Sequence, residues 1–114
     1  MKNIADIRQE YTKSGLRESE LPCDPLSLFS RWLQEAIDAN VEEPTAVIVG
    51  TVSPEGRPST RTVLLKGLHD GKFIFYTNYE SRKGRQLAQN PYISLSFVWH
   101  ELERQVHIEG TAAK

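Results

Sequence analysis

Between Thr45 and Asn78 three apolar runs follow one another with only tight links between them, and this spacing restricts the fold more than any other feature. Thr45 to Val52 is dense in β-branched residues, which suit a pleated, half-buried surface. Ser53-Pro54-Glu55-Gly56 reads as a turn, so the Arg57 to Lys66 segment returns as the second arm of a hairpin. His69-Asp70-Gly71 supplies a further turn and delivers the chain to a third strand, Phe73 to Asn78. Links this short favour antiparallel pairing, because a parallel pair needs a long crossover.

The flanking segments complete the pattern. Ser81 opens a helix that reaches about Gln89 and is stopped by Asn90-Pro91, after which Tyr92 to Trp99 and Arg104 to Thr111 alternate as two more strands. Upstream, Asp24-Pro25 is a helix start, with the aspartate as N-cap and proline at the first helical position. Leu26, Phe29, Leu33, Ala36 and Ile37 recur on one face with Trp32 alongside. This helix, running to about Asn40, needs a sheet to cover its apolar face. Asn3 to Thr12 carries Ile4, Ile7 and Tyr11 at helical spacing and predicts a short amphipathic helix ended at Gly15. Five closely linked strands with an interposed helix predict a mainly β fold with helices (α+β), built on a small antiparallel barrel.

The 114 residues suffice for one domain and one core. A formal net charge of -1 gives no general attraction to nucleic acid or to an anionic membrane, so anion binding must come from a local cluster of cations. Cys23 is the only cysteine, which excludes an internal disulfide and fits a reducing cytoplasm. The first residues lack an apolar signal core, and no run is long enough to cross a bilayer; the expectation is a soluble, cytoplasmic protein. The final strand pattern is still running at Gly110-Thr111-Ala112-Ala113-Lys114, which suggests a fragment or a sheet edge completed by a second subunit.

The chemistry concentrates between Arg61 and Lys83. Ser81-Arg82-Lys83 at a helix start offers a cap, free backbone N–H groups, the positive end of the helix dipole and two cations, a combination suited to a phosphate monoester. Arg61 and Lys66 are five positions apart and so point to opposite faces of a regular strand. Spacing alone makes them solvated charges bracketing Val63-Leu64-Leu65; Ser81-Arg82-Lys83 tips the reading toward a phosphate pocket. Tyr76 and Thr77 read equally as ligand-binding hydroxyls and as ordinary strand residues. Gln105 offers donors and an acceptor to a heterocycle edge, although a polar residue on the wet face of a strand is its default reading. His69, His100 and His107 form no metal-ligand spacing, and neither Cys23 nor any serine has the setting of a nucleophile. Thr12-Lys13-Ser14-Gly15 lacks the spacing of a phosphate loop and reads as a turn. Hydride chemistry on a bound cofactor fits better than covalent catalysis.

A series of motifs in fixed order carries a resemblance. Ile7-Arg8-Gln9-Glu10-Tyr11-Thr12-Lys13, Leu21-Pro22-Cys23-Asp24-Pro25-Leu26, Arg61-Thr62-Val63-Leu64-Leu65-Lys66, Phe75-Tyr76-Thr77-Asn78, Ser81-Arg82-Lys83 and Trp99-His100-Glu101-Leu102-Glu103-Arg104-Gln105-Val106 together resemble the N-terminal part of the pyridoxine/pyridoxamine 5′-phosphate oxidase family. The resemblance implies an FMN-binding split β-barrel working as a homodimer, with flavin in clefts between subunits. It divides the chain into a mobile N-terminal segment, residues 1–20, and a split-barrel domain, residues 21–114, incomplete at its C-terminus.

By the same similarity Arg61, Val63, Leu64, Leu65, Lys66, Tyr76, Thr77, Ser81, Arg82, Lys83 and Gln105 match cofactor-binding positions, with Arg82 and Lys83 on the phosphate. Lys66 also matches a substrate-phosphate position, and Arg8 and Tyr11 lie in a segment resembling one that covers the substrate. The implied reaction oxidises pyridoxine or pyridoxamine 5′-phosphate to pyridoxal 5′-phosphate, with oxygen as acceptor and hydrogen peroxide released. Family members are about twice as long and carry further substrate and flavin ligands in their second half, so this length implies that the chain alone binds FMN weakly or not at all and turns over substrate poorly. His107 has no counterpart role. The alternatives are a non-catalytic flavin-binding module, a flavin reductase of the same barrel class, and a structural dimerisation domain.

Overall fold

The computed structural model describes residues 3–6, 19, 21–22, 24–76 and 88–113. Helix α1 (Pro25–Asp38) begins where the sequence places it. The Asp24 carboxylate accepts from the Leu26 N–H at 3.1 Å and from the Ser27 hydroxyl at 3.2 Å, satisfying donors that a helix start leaves unpaired. The other end closes with the Asn40 N–H on the Ile37 carbonyl and the Val41 N–H on the Ala36 carbonyl, both at 3.1 Å. Asn40 has φ 55°, the left-handed conformation of a Schellman closure, and the next residue, Val41, is buried in the core.

Strands β1 (Ala46–Val52), β2 (Pro58–Leu64), β5 (Tyr92–Trp99) and β6 (Arg104–Thr111) form an antiparallel sheet in the order β2-β1-β5-β6. β3 (Gly67–His69) and β4 (Lys72–Ile74) form a separate two-stranded ribbon. The β1–β2 turn is held by the Ser53 N–H on the Arg57 carbonyl and the Gly56 N–H on the Ser53 carbonyl, each at 2.9 Å, with Gly56 at φ 83°.

Two expectations change here. The Arg57 to Lys66 segment is not one strand: the Leu65 N–H still reaches the Thr45 carbonyl at 2.8 Å, but the Lys66 N–H reaches the Ile74 carbonyl at 2.7 Å. The chain leaves one sheet for the other between those two residues, as strands do at the corners of packed sheets. The Phe73 to Asn78 strand is likewise shorter, with β4 ending at Ile74 and pairing with β3 rather than β2. Of the predicted N-terminal helix, residues 4–6 form a single 3₁₀ turn. Of the predicted Ser81 helix, Ala88 and Gln89 are helical and residues 81–87 lie outside the described residues.

The inward face of the sheet and α1 enclose the core. Val47, Val49, Leu95, Phe97 and Trp99 are buried there with Phe29 and Ala36 of the helix. Phe29 is its hub, with ring centroids 4.9 Å from Phe97, 5.1 Å from Phe73 and 6.0 Å from Trp99. The Trp99 indole N–H donates to the Pro44 carbonyl at 2.9 Å, so this large ring is buried without leaving its polar atom unpaired. Among the described residues no helix is long and apolar enough to cross a membrane.

Candidate functional site

Strand register decides where each candidate side chain sits. Arg61 pairs with Val49, and Val49 with Leu95, both buried, so Arg61 stands on the inward face at the β2 edge of the sheet. It is half-buried, and its guanidinium donates to the Ser59 hydroxyl at 2.9 Å. Val63 shares that face and packs against the core, and Leu65 is buried. Leu64, 42% exposed, belongs to the opposite parity. Lys66 is exposed but lies past the end of β2, where the chain has left the sheet, so the opposite facing expected for Arg61 and Lys66 on one regular strand does not apply.

Gln105 lies at the other edge. It pairs with Val98, whose side chain is 41% exposed, and alternates with Arg104 and Val106 of the inward face. The outward face holds Gln105, His107 and Glu109 on β6 and Ser94, Ser96 and Val98 on β5. It continues with Ile48 and Gly50 on β1 and Thr62 and Leu64 on β2. Continuing the β1–β5 register by two residues sets Leu64, Ala46, Val98 and Gln105 in one row across the sheet. An open cavity of about 240 Å³ at the end of this row is lined by Val98, His100, Glu103, Arg104 and Gln105.

Tyr76, 76% exposed, follows the ribbon outside any strand. Arg8, Tyr11, Thr77, Ser81, Arg82 and Lys83 lie outside the described residues. Among the described residues no group of three or more His, Cys, Asp or Glu side chains is placed to hold a metal ion.

The chemistry offered by the described candidates is a half-buried cation, an exposed apolar row and a side-chain amide that both donates and accepts. Such a set fits a ligand that joins a phosphate to a flat heteroaromatic ring. It is not assembled on one surface, however. Arg61 and Gln105 occupy opposite faces and opposite edge strands, three strand spacings or about 14 Å apart in the plane of the sheet.

Two polar contacts were not read from the sequence. Arg104 donates to Glu35 of α1 at 2.5 Å while its guanidinium lies 4.6 Å from the Trp32 ring centroid. Trp32 and Glu35 are three apart on the helix and so share a face, the only trace of this arrangement in the sequence. Ser96 and His107 face each other across β5 and β6, the hydroxyl and Nδ1 being 2.9 Å apart.

Residues 33–114 match the family model described as pyridoxamine 5′-phosphate oxidase. The chain is 99% identical over 114 residues to a pyridoxine/pyridoxamine 5′-phosphate oxidase of Bacteroides thetaiotaomicron, covering all of this chain and 54% of that protein. It is 60% identical over 108 residues to the protein of that name in Porphyromonas gingivalis, covering 95% of this chain and 50% of that protein. The chain thus spans about half the length of the curated relatives it matches.

Among solved structures it is similar to PhzG from Burkholderia lata, crystallised with tetrahydrophenazine-1-carboxylic acid, with a TM-score of 0.81 and 34% identity. That match covers 87% of this chain and 50% of PhzG. A pyridoxamine 5′-phosphate oxidase-related, FMN-binding protein of Nostoc punctiforme shares the fold, with a TM-score of 0.67 and 22% identity over 77% of this chain and 47% of that one. Among the described residues the antiparallel sheets and covering helix α1 are those of the split-barrel FMN-binding fold, present here as an open sheet and ribbon. The extent of the family match and these identities show that the chain belongs to the pyridoxamine 5′-phosphate oxidase family.

Proposed function

We propose that this chain forms the flavin-binding half of a pyridoxine/pyridoxamine 5′-phosphate oxidase and holds FMN between two copies of itself. The observation that carries the reading is the separation of Arg61 from Gln105 on opposite faces and edges of one sheet. One flavin can meet both only if each comes from a different copy, and the half-apolar outward face with Ile48, Leu64 and Val98 exposed suits a second copy. The names of the relatives support the same substrate class.

FMN bound there would supply the hydride acceptor for oxidising the 4′ carbon of pyridoxine 5′-phosphate to the aldehyde, or of pyridoxamine 5′-phosphate to an imine that water hydrolyses to the aldehyde with release of ammonia, oxygen taking the electrons and leaving as hydrogen peroxide. The chain's own residues orient and neutralise. Arg61, steadied by Ser59, would hold an anionic oxygen of the cofactor with Ser81, Arg82 and Lys83. The backbone of Val63, Leu64 and Leu65 with Tyr76 and Thr77 would border the ring, and Gln105 from the other copy would hydrogen-bond the heterocycle edge. Lys66, with Arg8 and Tyr11, would meet the substrate and its phosphate. The cytoplasm is the proposed location.

Titration of the chain with FMN, read by flavin fluorescence with sedimentation alongside, tests this. The expected result is saturable binding by a dimer, weakened about tenfold or more in Arg61→Ala, as loss of a hydrogen bond to a charged group predicts. Binding of equal strength in Arg61→Ala, or by a monomer, overturns the arrangement. Peroxide production with pyridoxamine 5′-phosphate separates an oxidase from a module that only binds flavin.

A further inference from the structure

The turn between β5 and β6 is anchored from below at several points. The Glu42 N–H donates to the Glu101 carboxylate at 3.0 Å, and the Glu103 N–H to the His100 carbonyl at 3.0 Å. Glu103 then takes the left-handed conformation, φ 55°, and β6 starts at Arg104. Arg104 points inward opposite Trp99, its side chain only 18% exposed, and is gripped by Glu35 on one side and the Trp32 ring on another. The next residue is Gln105, directed the other way over the open cavity. Among the described residues no hydrogen bond holds the Gln105 side chain, so its placement is inherited from the backbone. Arg104 and Gln105 are consecutive in the β6 ladder, opposite Trp99 and Val98, and the pleat turns their side chains to opposite faces, so what holds Arg104 in register also sets the departure of Gln105.

We propose that Arg104, clamped by Glu35 and Trp32 of α1, is a positioning residue for Gln105, and through it for the edge of the bound heterocycle. This rests on the reading above that Gln105 contacts flavin. A helix whose apolar face builds the core thereby sets a polar contact on the far side of the sheet. An Arg–carboxylate pair with a stacked aromatic ring suits the task, since the planar guanidinium fixes direction where a lysine would only supply charge.

The test uses Glu35→Gln, at a half-exposed position that tolerates the change sterically, with Arg104→Lys as a second variant that keeps the charge. The first readout needs no flavin: the Gln105 side-chain and backbone amide resonances of ¹⁵N-labelled chain. The second is FMN affinity, measured for Glu35→Gln alone and in a Gln105→Ala background. The expected result is displaced, motionally averaged Gln105 resonances and about fivefold weaker FMN binding in Glu35→Gln, with no further loss when Gln105 is already alanine. Arg104→Lys is expected to fall between.

Unchanged Gln105 resonances in a folded Glu35→Gln chain overturn the proposal. So does an equal loss of affinity in both backgrounds, which marks a general structural effect. If Gln105→Ala binds FMN as tightly as the parent, or the parent binds none, the flavin-contact reading itself falls and takes the functional half of the inference with it. The resonances then decide the positioning half separately.

Discussion

At the scale of single residues, Phe29 does the most to join helix to sheet. Its ring meets Phe73 of the ribbon and Phe97 and Trp99 of the sheet, so one side chain ties three elements. Truncation to alanine removes those contacts and leaves a void that rigid neighbours cannot fill. Phe29→Ala is expected to cost about 3–5 kcal/mol, a large share of the stability of a domain of this size. In urea denaturation this should appear as a lower midpoint at unchanged slope; a midpoint within error of the parent would show the ring to be dispensable. The apolar periodicity of α1 singled out Phe29, and the Asp24-Pro25 pair located the helix start, because both depend on neighbours within a turn or two. The Glu35–Arg104 contact was not legible, since its partners are 69 positions apart and nothing local requires them to meet.

Elements were legible where their own residues decide them and illegible where pairing does. The turn at Asp70-Gly71 is an example of the first kind. Both residues have positive φ, 51° and 71°, and join His69 to its partner Lys72 in a two-residue hairpin of the type that twists with its strands. A β-carbon on Gly71 would also stand 3.2 Å from the Leu26 side chain of α1. Gly71→Ala is therefore expected to destabilise the fold by roughly 1–2 kcal/mol, with faster amide exchange confined to the ribbon. Unaltered exchange there would show that the turn tolerates a side chain. The passage from Leu65 to Lys66 is of the second kind. Alternation of burial runs straight through it, so the sequence reads as one strand, while the hydrogen-bond partner changes from Thr45 to Ile74. A change of partner leaves no mark on the pattern of the strand that changes.

For the whole molecule, family and architecture were legible because many short motifs recur in fixed order, and the division of the candidate site was only half so. The alternation of β2 marks the facing of Arg61, but placing Gln105 required the strand order, which puts β2 and β6 at opposite edges. That division has a genetic consequence under the proposed pairing of two chains. If every site takes its arginine from one copy and its glutamine from the other, Arg61→Ala and Gln105→Ala chains should complement each other. Each mixed pair then carries one site lacking both groups and one site with both intact. After equal mixing and free exchange of partners, about a quarter of all sites should regain the parent's affinity for FMN, readable as a tight phase in the titration. Recovery would mean that two defective alleles can make a working protein between them; its absence would place both groups in sites built from a single chain.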